Sequence, residues 1–257
     1  MRKYYMKPID WIAILGALAW TPHLVGMVRD WITKSKIRII TQRRVELGFT
    51  TYGPILNLRL AFSVENKNIV ISDLKIRLTH ESGEERFFEW QGITQNMGKM
   101  TLPDASAMPF EKEQSVLAIK LNQNDIEERF VKFQEPIYLA KQLGFAEKAS
   151  KRMTYLKSEK KYDPELFLRE QEMTDLYSFN KHAFTWKPGK YIASIEIQSP
   201  EKFEIVDNIR EFNLSVLEIE KIEKNKHLLE LDYKKMIVGG EDEIIWQWCN
   251  PVLTKIK

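Results

Sequence analysis

The chain has 257 residues, of which 44% are hydrophobic and 29% are charged. This composition is ordinary for a globular protein and excludes collagen-like and strongly disordered classes. The formal net charge is +3, and much of the basic excess lies before residue 45, so we expect no nucleic-acid groove. With Cys249 as its one cysteine, the chain has no internal disulfide framework, which suits a reducing compartment.

An apolar stretch without formal charge runs from Trp11 to Val28 and reads WIAILGALAWTPHLVGMV. A helix of this length spans about 27 Å, which is enough for the hydrocarbon core of a bilayer. We therefore predict a transmembrane helix over residues 11–31, after a short flank at 1–10. The residues assigned to this anchor are Trp11, Ala13, Gly16, Ala17, Pro22, His23 and Trp31.

Two other interpretations of this stretch stay open. Ala17-Leu18-Ala19 fits the cleavage pattern of a signal peptide, and a short apolar run is also compatible with a buried or interfacial helix. If the helix spans a membrane, Ala13, Gly16 and Ala17 form a small face on which a second helix could pack. His23 is the one ionisable side chain inside the stretch, and we expect it to lie near the hydrated interface.

A basic segment over residues 32–47 follows the predicted helix. Basic side chains are retained on the cytoplasmic side of membranes, so the large domain is predicted to be cytoplasmic, with contacts to anionic lipid. The basic residues that carry this prediction are Arg29, Lys34, Lys36, Arg38, Arg43 and Arg44.

Strand patterns dominate the rest of the chain, residues 48–257. Residues 56–65 alternate strictly between apolar and polar side chains, and residues 69–80 repeat the pattern before a turn at Ser82-Gly83. Further strands are predicted at Ile37–Ile40, Arg86–Trp90, 116–121, 191–197 and 212–216. Consecutive short strands of this kind indicate an antiparallel sandwich or meander.

Helical spacing interrupts the strands at about 125–180. Ile126, Phe130, Phe133 and Ile137 are spaced as on one helix face, and helices are also predicted over 139–153 and 164–177, the latter capped by Asp163. A last helix over 228–238 is expected to stop at Gly239-Gly240. The predicted fold class is mainly β, an antiparallel immunoglobulin-like β-sandwich with a helical insertion behind one N-terminal transmembrane helix.

Two stretches resemble known sandwich domains. The run NLRLAFSVENKNIVISDLKIRL resembles the opening strands of late-embryogenesis-abundant and water-stress domains, and WKPGKYIASIEI resembles a late strand of immunoglobulin-like domains. The cysteine pair of true immunoglobulin domains is missing here. The resemblance implies a sandwich fold and no particular activity.

The sequence carries no recognisable catalytic, cofactor or metal motif, so none of these sites is predicted. His80 opens a polar cluster that fits a charged hairpin tip, and Cys249 stands among aromatic residues that indicate packing. Trp246 and Trp248 are possible interaction residues, because tryptophan anchors are common at interfaces, although core packing explains them as well.

The leading hypothesis is a membrane-anchored, non-enzymatic adaptor or sensor that binds membrane lipid and an unidentified protein partner. One alternative is a structural subunit of a membrane complex, assembled through its helix. The other is an enzyme whose site lies between the sandwich and the helical insertion and uses His80, His182 or the carboxylates of residues 163–175.

Overall fold

The computed structural model describes residues 16, 19–28, 33–101, 107–114, 117–240 and 243–256. The helices are α1 (residues 19–28), α2 (Pro136–Ser158), α3 (Pro164–Phe167), α4 (Gln171–His182), α5 (Val216–Glu223) and α6 (Leu228–Val238), with a 3₁₀ turn at Lys224–His227. The strands are β1 (Ser35–Thr41), β2 (Glu46–Thr50), β3 (Gly53–Glu65), β4 (Ile69–Ile71), β5 (Asp73–His80), β6 (Glu85–Thr101), β7 (Ala107–Gln114), β8 (Ile119–Leu121), β9 (Ile126–Gln134), β10 (Gly189–Gln198), β11 (Phe203–Val206), β12 (Ile209–Leu214), β13 (Trp248–Cys249) and β14 (Thr254–Lys255).

Twelve of the described strands form one large curled sheet, β4 and β8 pair in a separate two-stranded sheet, and the predicted immunoglobulin-like sandwich is wrong. The main order is β11-β1-β3-β9-β6-β5-β10-β12-β14, and the sheet is mixed because β1 pairs with β11 in parallel. With 40% strand and 35% helix, the architecture is a half-barrel with a substantial helical part. A sandwich needs two separate sheets packed face to face, whereas here a continuous hydrogen-bonded ladder bends around the core.

The alternating strand at residues 56–65 was predicted correctly, and the predicted run at 69–80 is divided into β4 and β5, which belong to different sheets. β3 and β5 follow the expected period of two, and the apolar side chains from Leu56 to Val64 and from Leu74 to Leu78 enter the core. The turn after β5 also forms at Ser82-Gly83, where Gly83 has φ of +86°. The sequence pattern therefore locates the ladder that holds the rest of the sheet.

The predicted helix is wrong for residues 126–134, which form β9, whereas Ile137 lies in the first turn of α2. Strand β9 pairs with β3 along its whole length and with β6 from Phe130 to Gln134, so the backbone of this second part has strand partners on both sides. Val131 and Phe133 are fully buried with the spacing of a strand. The helical spacing of Ile126 and Phe130 is thus overridden by pairing that is distant in sequence.

The C-terminal segment closes the open side of the half-barrel. β13 pairs with β2, β14 pairs with β12, and Arg44 forms a β-bridge with Val252 between them. The segment therefore connects two strands that are far apart in the order of the sheet.

Asn225 fixes this segment from inside. Its buried amide nitrogen donates to the carbonyl oxygens of Phe49 (2.9 Å) and Gln247 (2.8 Å), and its amide oxygen accepts from the Gln247 backbone nitrogen (2.8 Å). A buried carboxamide that satisfies three polar groups holds β2 and the C-terminal segment in one arrangement.

The helices α2, α3, α4 and α6 build a second, smaller core beside the sheet. Phe167, Met173, Leu176 and Tyr233 are buried in it, together with Ala149 and Leu156. The predicted start of α3 is confirmed, because the Asp163 side chain accepts from the Leu166 backbone nitrogen and Pro164 takes the first helical position.

The predicted transmembrane anchor over residues 11–31 is not supported. Within this stretch the structure describes Gly16, which is helical, and α1 at residues 19–28, and the other residues of the predicted anchor lie outside the described part of the chain. Among the described residues, no helix has both the length and the apolar character required to cross a membrane. The predicted single-pass topology and the membrane localisation that rested on it are corrected accordingly.

Helix α2 is docked onto the sheet through Tyr138 and Gly53. Gly53 opens β3 with φ of +81°, and a Cβ atom there would lie 2.4 Å from the Tyr138 ring. The Tyr138 hydroxyl donates to the Asn180 amide oxygen at 2.6 Å, which joins α2 to α4 at the same point. Only glycine has both the conformation and the small size that this contact requires.

Replacement of Gly53 tests this contact. We expect Gly53→Ala to lower the free energy of unfolding by about 1–2 kcal/mol for the left-handed backbone and by about 1–3 kcal/mol more because the new methyl group displaces the buried Tyr138 ring. Gly83→Ala is the matched control, since Gly83 has a similar φ of +86° and no atom within 4 Å of the added Cβ. Urea denaturation of both variants measures the difference, and equal losses would contradict the docking role.

Candidate ligand-binding site

A cavity of about 520 Å³ lies between the curled sheet and the helices α2 and α4. Strand β6, the N-terminal part of α2 and helix α4 supply its charged groups, and both helices supply its apolar wall. Its volume is within the range of small-molecule sites. The residues that shape it are Arg86, Glu135, Tyr138, Phe145, Phe179 and Thr185.

Arg86 is the central polar residue of this cavity. It faces inward on β6 in phase with buried Phe88, and its side chain is only 8% exposed. Its Nη2 atom lies 3.3 Å from Glu135 Oε2, and its guanidinium carbon lies 5.8 Å from the centre of the Trp186 ring. Its Nη1 atom has no hydrogen-bond partner within the described part of the chain. An unsatisfied buried donor of this kind costs about 1–3 kcal/mol, which makes it a candidate for ligand contact.

Glu135 lies beside Arg86 at the N-terminal end of α2. Burial raises the pKa of its carboxyl group, and the nearby positive charge of Arg86 counteracts only part of this effect. In contrast, the pKa of Glu84 is lowered, mainly by its hydrogen bond with Lys187. The cavity therefore contains one carboxyl group that takes up a proton more readily than usual.

Three aromatic rings form the apolar wall. Phe179 stacks on Tyr138 with ring centres 5.3 Å apart and on Phe145 with ring centres 4.9 Å apart. Burial raises the pKa of Tyr138, so its hydroxyl group stays protonated and acts as a hydrogen-bond donor. This wall suits a flat apolar ligand body.

Polar groups from the end of α4 complete the rim. His182 Nδ1 donates to the Ser178 carbonyl oxygen at 2.7 Å, because a carbonyl oxygen can only accept. The Thr185 hydroxyl oxygen is buried and has no partner in the described structure. Two side chains at this cavity, Arg86 and Thr185, thus retain unused hydrogen-bonding capacity.

The structure places the sequence-predicted site residues in several different regions. Trp246 and Trp248 border a second cavity beside the β2–β3 hairpin. Of the anchor residues, Gly16, Pro22 and His23 are in helical conformation, whereas Trp11, Ala13, Ala17 and Trp31 lie outside the described residues, as does Arg29.

The basic residues predicted to form a juxtamembrane patch belong to the sheet. Lys36 and Arg38 lie on β1, Lys34 directly precedes it, and Arg43 and Arg44 lie between β1 and β2. Arg43 accepts a backbone hydrogen bond from Leu253, and Arg44 bridges to Val252. Their position is therefore explained by the closure of the half-barrel.

The residues considered for catalysis are also separated. His182 and Asp175 line the cavity between sheet and helices, but His80 does not. The His80 ring is held by Ser82 Oγ at 2.8 Å and the Pro188 carbonyl oxygen at 3.2 Å, so it stabilises the hairpin. Cys249 is buried in the main core, and burial raises the pKa of its thiol to about 12.

Sequence reasoning missed Arg86 and Glu135. Arg86 had a detectable signal, because it falls on the inward phase of a predicted strand, where an arginine is unusual. Glu135 had none, since its place in the cavity depends on β9 being a strand and on the docking of α2.

Comparison of the chain with protein families, with curated proteins and with solved structures gave no match. Among the described residues, no group of three or more histidine, cysteine, aspartate or glutamate side chains is arranged to hold a metal ion. The resemblance to late-embryogenesis-abundant and immunoglobulin-like sequences stays a prediction from two short stretches.

From the raised pKa of Glu135 we predict how the stability of the protein depends on pH. The contribution of Glu135 to the free energy of unfolding is fully present below its usual pKa near 4.5. It is lost as the pH rises through the raised pKa that the carboxyl group has in the folded state. We therefore expect the stability of the wild type relative to Glu135→Gln to fall with rising pH in this window. Urea denaturation of both proteins at several pH values measures it.

Glu147→Gln is the control of opposite sign. A hydrogen bond from Lys151 lowers the pKa of Glu147, so its contribution is present above the usual pKa and is lost as the pH falls. Parallel pH dependence for the two variants would show that Glu135 is not buried as described.

Proposed function

We propose that this chain is a non-enzymatic binding module whose cavity at Arg86 takes a small, mainly apolar ligand with a carboxamide group. The observation that carries the proposal is the buried Arg86 side chain, which lines the cavity and keeps one guanidinium nitrogen without a hydrogen bond among the described residues. A ligand oxygen that accepts from this side chain removes the cost of the unsatisfied donor.

The neighbouring groups favour a carboxamide over a carboxylate. Arg86 offers donors, and Glu135, 3.3 Å away, offers acceptors. A carboxamide presents an acceptor oxygen and a donor N–H side by side, so it matches both groups. A carboxylate has no donor and would place a second negative charge beside Glu135.

The stacked rings of Tyr138, Phe145 and Phe179 favour an apolar, preferably aromatic ligand body. Such a body gains by leaving water and by contact with the ring faces. A protein partner with an apolar side chain next to a backbone amide has the same chemistry. The proposal therefore includes a partner peptide as well as a free small molecule.

Binding is preferred to catalysis because the strongest nucleophile candidate is inactive as placed. With its pKa raised to about 12, Cys249 is a neutral thiol at physiological pH, and thiolate is the reactive form. His80 is engaged through both ring nitrogens. Neither residue lines the cavity at Arg86.

A hydrolase that acts on the same amide is the second candidate. The raised pKa of Glu135 favours it, because a carboxyl group of raised pKa in a cavity suits general acid–base catalysis. Hydrolysis would convert the amide and one water molecule into a carboxylate and an ammonium ion. Detection of that carboxylate in an NMR time course would decide for this candidate.

The proposal is tested with 2-naphthamide as the ligand and isothermal titration calorimetry as the measurement. We expect Arg86→Met combined with Glu135→Leu to weaken binding about tenfold or more, because two hydrogen bonds of about 0.5–1.5 kcal/mol each are lost. Exchanging both members of a buried ion pair for apolar residues leaves no unpaired charge, so the fold is expected to persist.

Arg77→Met combined with Glu196→Leu is the matched control, since it removes an ion pair of 2.6 Å between partly exposed side chains outside the cavity. Its affinity for 2-naphthamide is expected to equal that of the wild type. Preference for 2-naphthoate, or equal binding by both double variants, would contradict the carboxamide assignment.

A further inference from the structure

A second cavity, of about 560 Å³, lies beside the β2–β3 hairpin and under α6 and the C-terminal segment. Register places its floor on one face of the sheet, because Asn57 is opposite both Glu46 and Lys132, and Ile55 is opposite Gln134. Residues directly opposite in antiparallel strands project from the same face. This cavity is separate from the one at Arg86, so a ligand bound here is independent of the proposed function.

Aromatic side chains form the walls of the second cavity. The Trp248 indole covers Gly48, where an added Cβ would lie only 2.4 Å from the ring, and Trp246 packs against the main core while bordering the cavity. Tyr52 is 58% exposed at the rim. Because Gly48 has no side chain, the Trp248 ring can lie directly against strand β2.

Asn57 is the buried polar residue of this cavity whose hydrogen bonding is incomplete. It is 6% exposed and lines the cavity, and its amide oxygen has no hydrogen-bond partner among the described residues. Its amide nitrogen makes only a long contact of 3.4 Å with Glu46 Oε2. The unused oxygen needs a donor, and the floor around it carries the amide of Gln134 and the charge of Lys132, while Asp232 lines the cavity from α6.

We propose that this second cavity binds a neutral saccharide, with a pyranose ring on the tryptophan wall and its hydroxyl groups on Asn57 and Gln134. A sugar ring has an apolar C–H face that packs on aromatic rings and an edge of hydroxyl groups that donate and accept. One basic and one acidic side chain, Lys132 and Asp232, balance the charge and match a ligand without net charge.

Other ligands match these groups less well. A proline-rich peptide suits an aromatic groove, but its prolines have no N–H to donate to the Asn57 oxygen. An acyl chain offers no polar edge at all, so it would leave the Asn57 amide oxygen unsatisfied. A hydroxyl donor is the feature that the saccharide adds.

The test is a glycan array of neutral and acidic saccharides probed with the labelled full chain, followed by calorimetry with the best neutral glycan. We expect at least one neutral glycan to bind, and Asn57→Leu and Gln134→Ala each to weaken it by tenfold or more. Asn57→Leu removes the unsatisfied oxygen while keeping a side chain of similar size, so the fold is expected to persist, and near-UV circular dichroism checks this.

Trp20→Ala and Trp246→Ala give the aromatic comparison. Trp20 is 68% exposed on α1 and lies outside the cavity, so its loss should leave affinity unchanged, whereas loss of Trp246 should abolish binding. The proposal is overturned if no neutral glycan binds at millimolar concentration, if Asn57→Leu and Trp246→Ala bind as the wild type does, or if a ten-residue polyproline peptide binds in place of the glycans.

Discussion

The contact between Tyr138 and Gly53 determines where the helical layer lies on the sheet. From this point the Tyr138 hydroxyl reaches Asn180 on α4, and the Asn180 amide nitrogen donates to the Tyr233 hydroxyl on α6 at 2.9 Å. One buried tyrosine thus positions three helices through a short polar network. Both cavities depend on it, because α2 and α4 wall the first, and α6 covers the second.

Arg86 and Arg210, both buried in the described structure, show how differently a guanidinium group can be used. Arg210 donates to Thr41 Oγ1 and to the carbonyl oxygens of Ile39 and Ile209, at 2.9 to 3.1 Å, and so ties β12 to β1 across the open side of the sheet. Every nitrogen of that guanidinium is bonded. Arg86 is equally buried but keeps Nη1 free of partners among the described residues. A structural explanation is complete for Arg210 and incomplete for Arg86, which is why Arg86 marks the candidate site.

The sequence predicted what depends on local pattern and missed what depends on distant pairing. The strands β3, β5 and β10 and the cap of α3 were recognised because alternation and Asp163-Pro164 act within a few residues. The curled sheet was not, since β9 reads as a helix until β3 and β6 pair with it. The apolar run before residue 29 predicted a membrane helix, but no helix within the described residues is long and apolar enough to cross a membrane. The cavities were missed for the same reason, because chain segments far apart in sequence form their walls.

The closure by the C-terminal segment has a consequence for how the protein is made. β2 receives its second neighbour only when Trp248 pairs with Gly48, about 200 residues later in the chain. At a synthesis rate of roughly 5–20 residues per second, that interval is on the order of 10–40 s. During this time the β2 edge is an unpaired template for other extended chains. Such long-range pairing also slows folding after release, so the nascent chain depends on protection of this edge during synthesis.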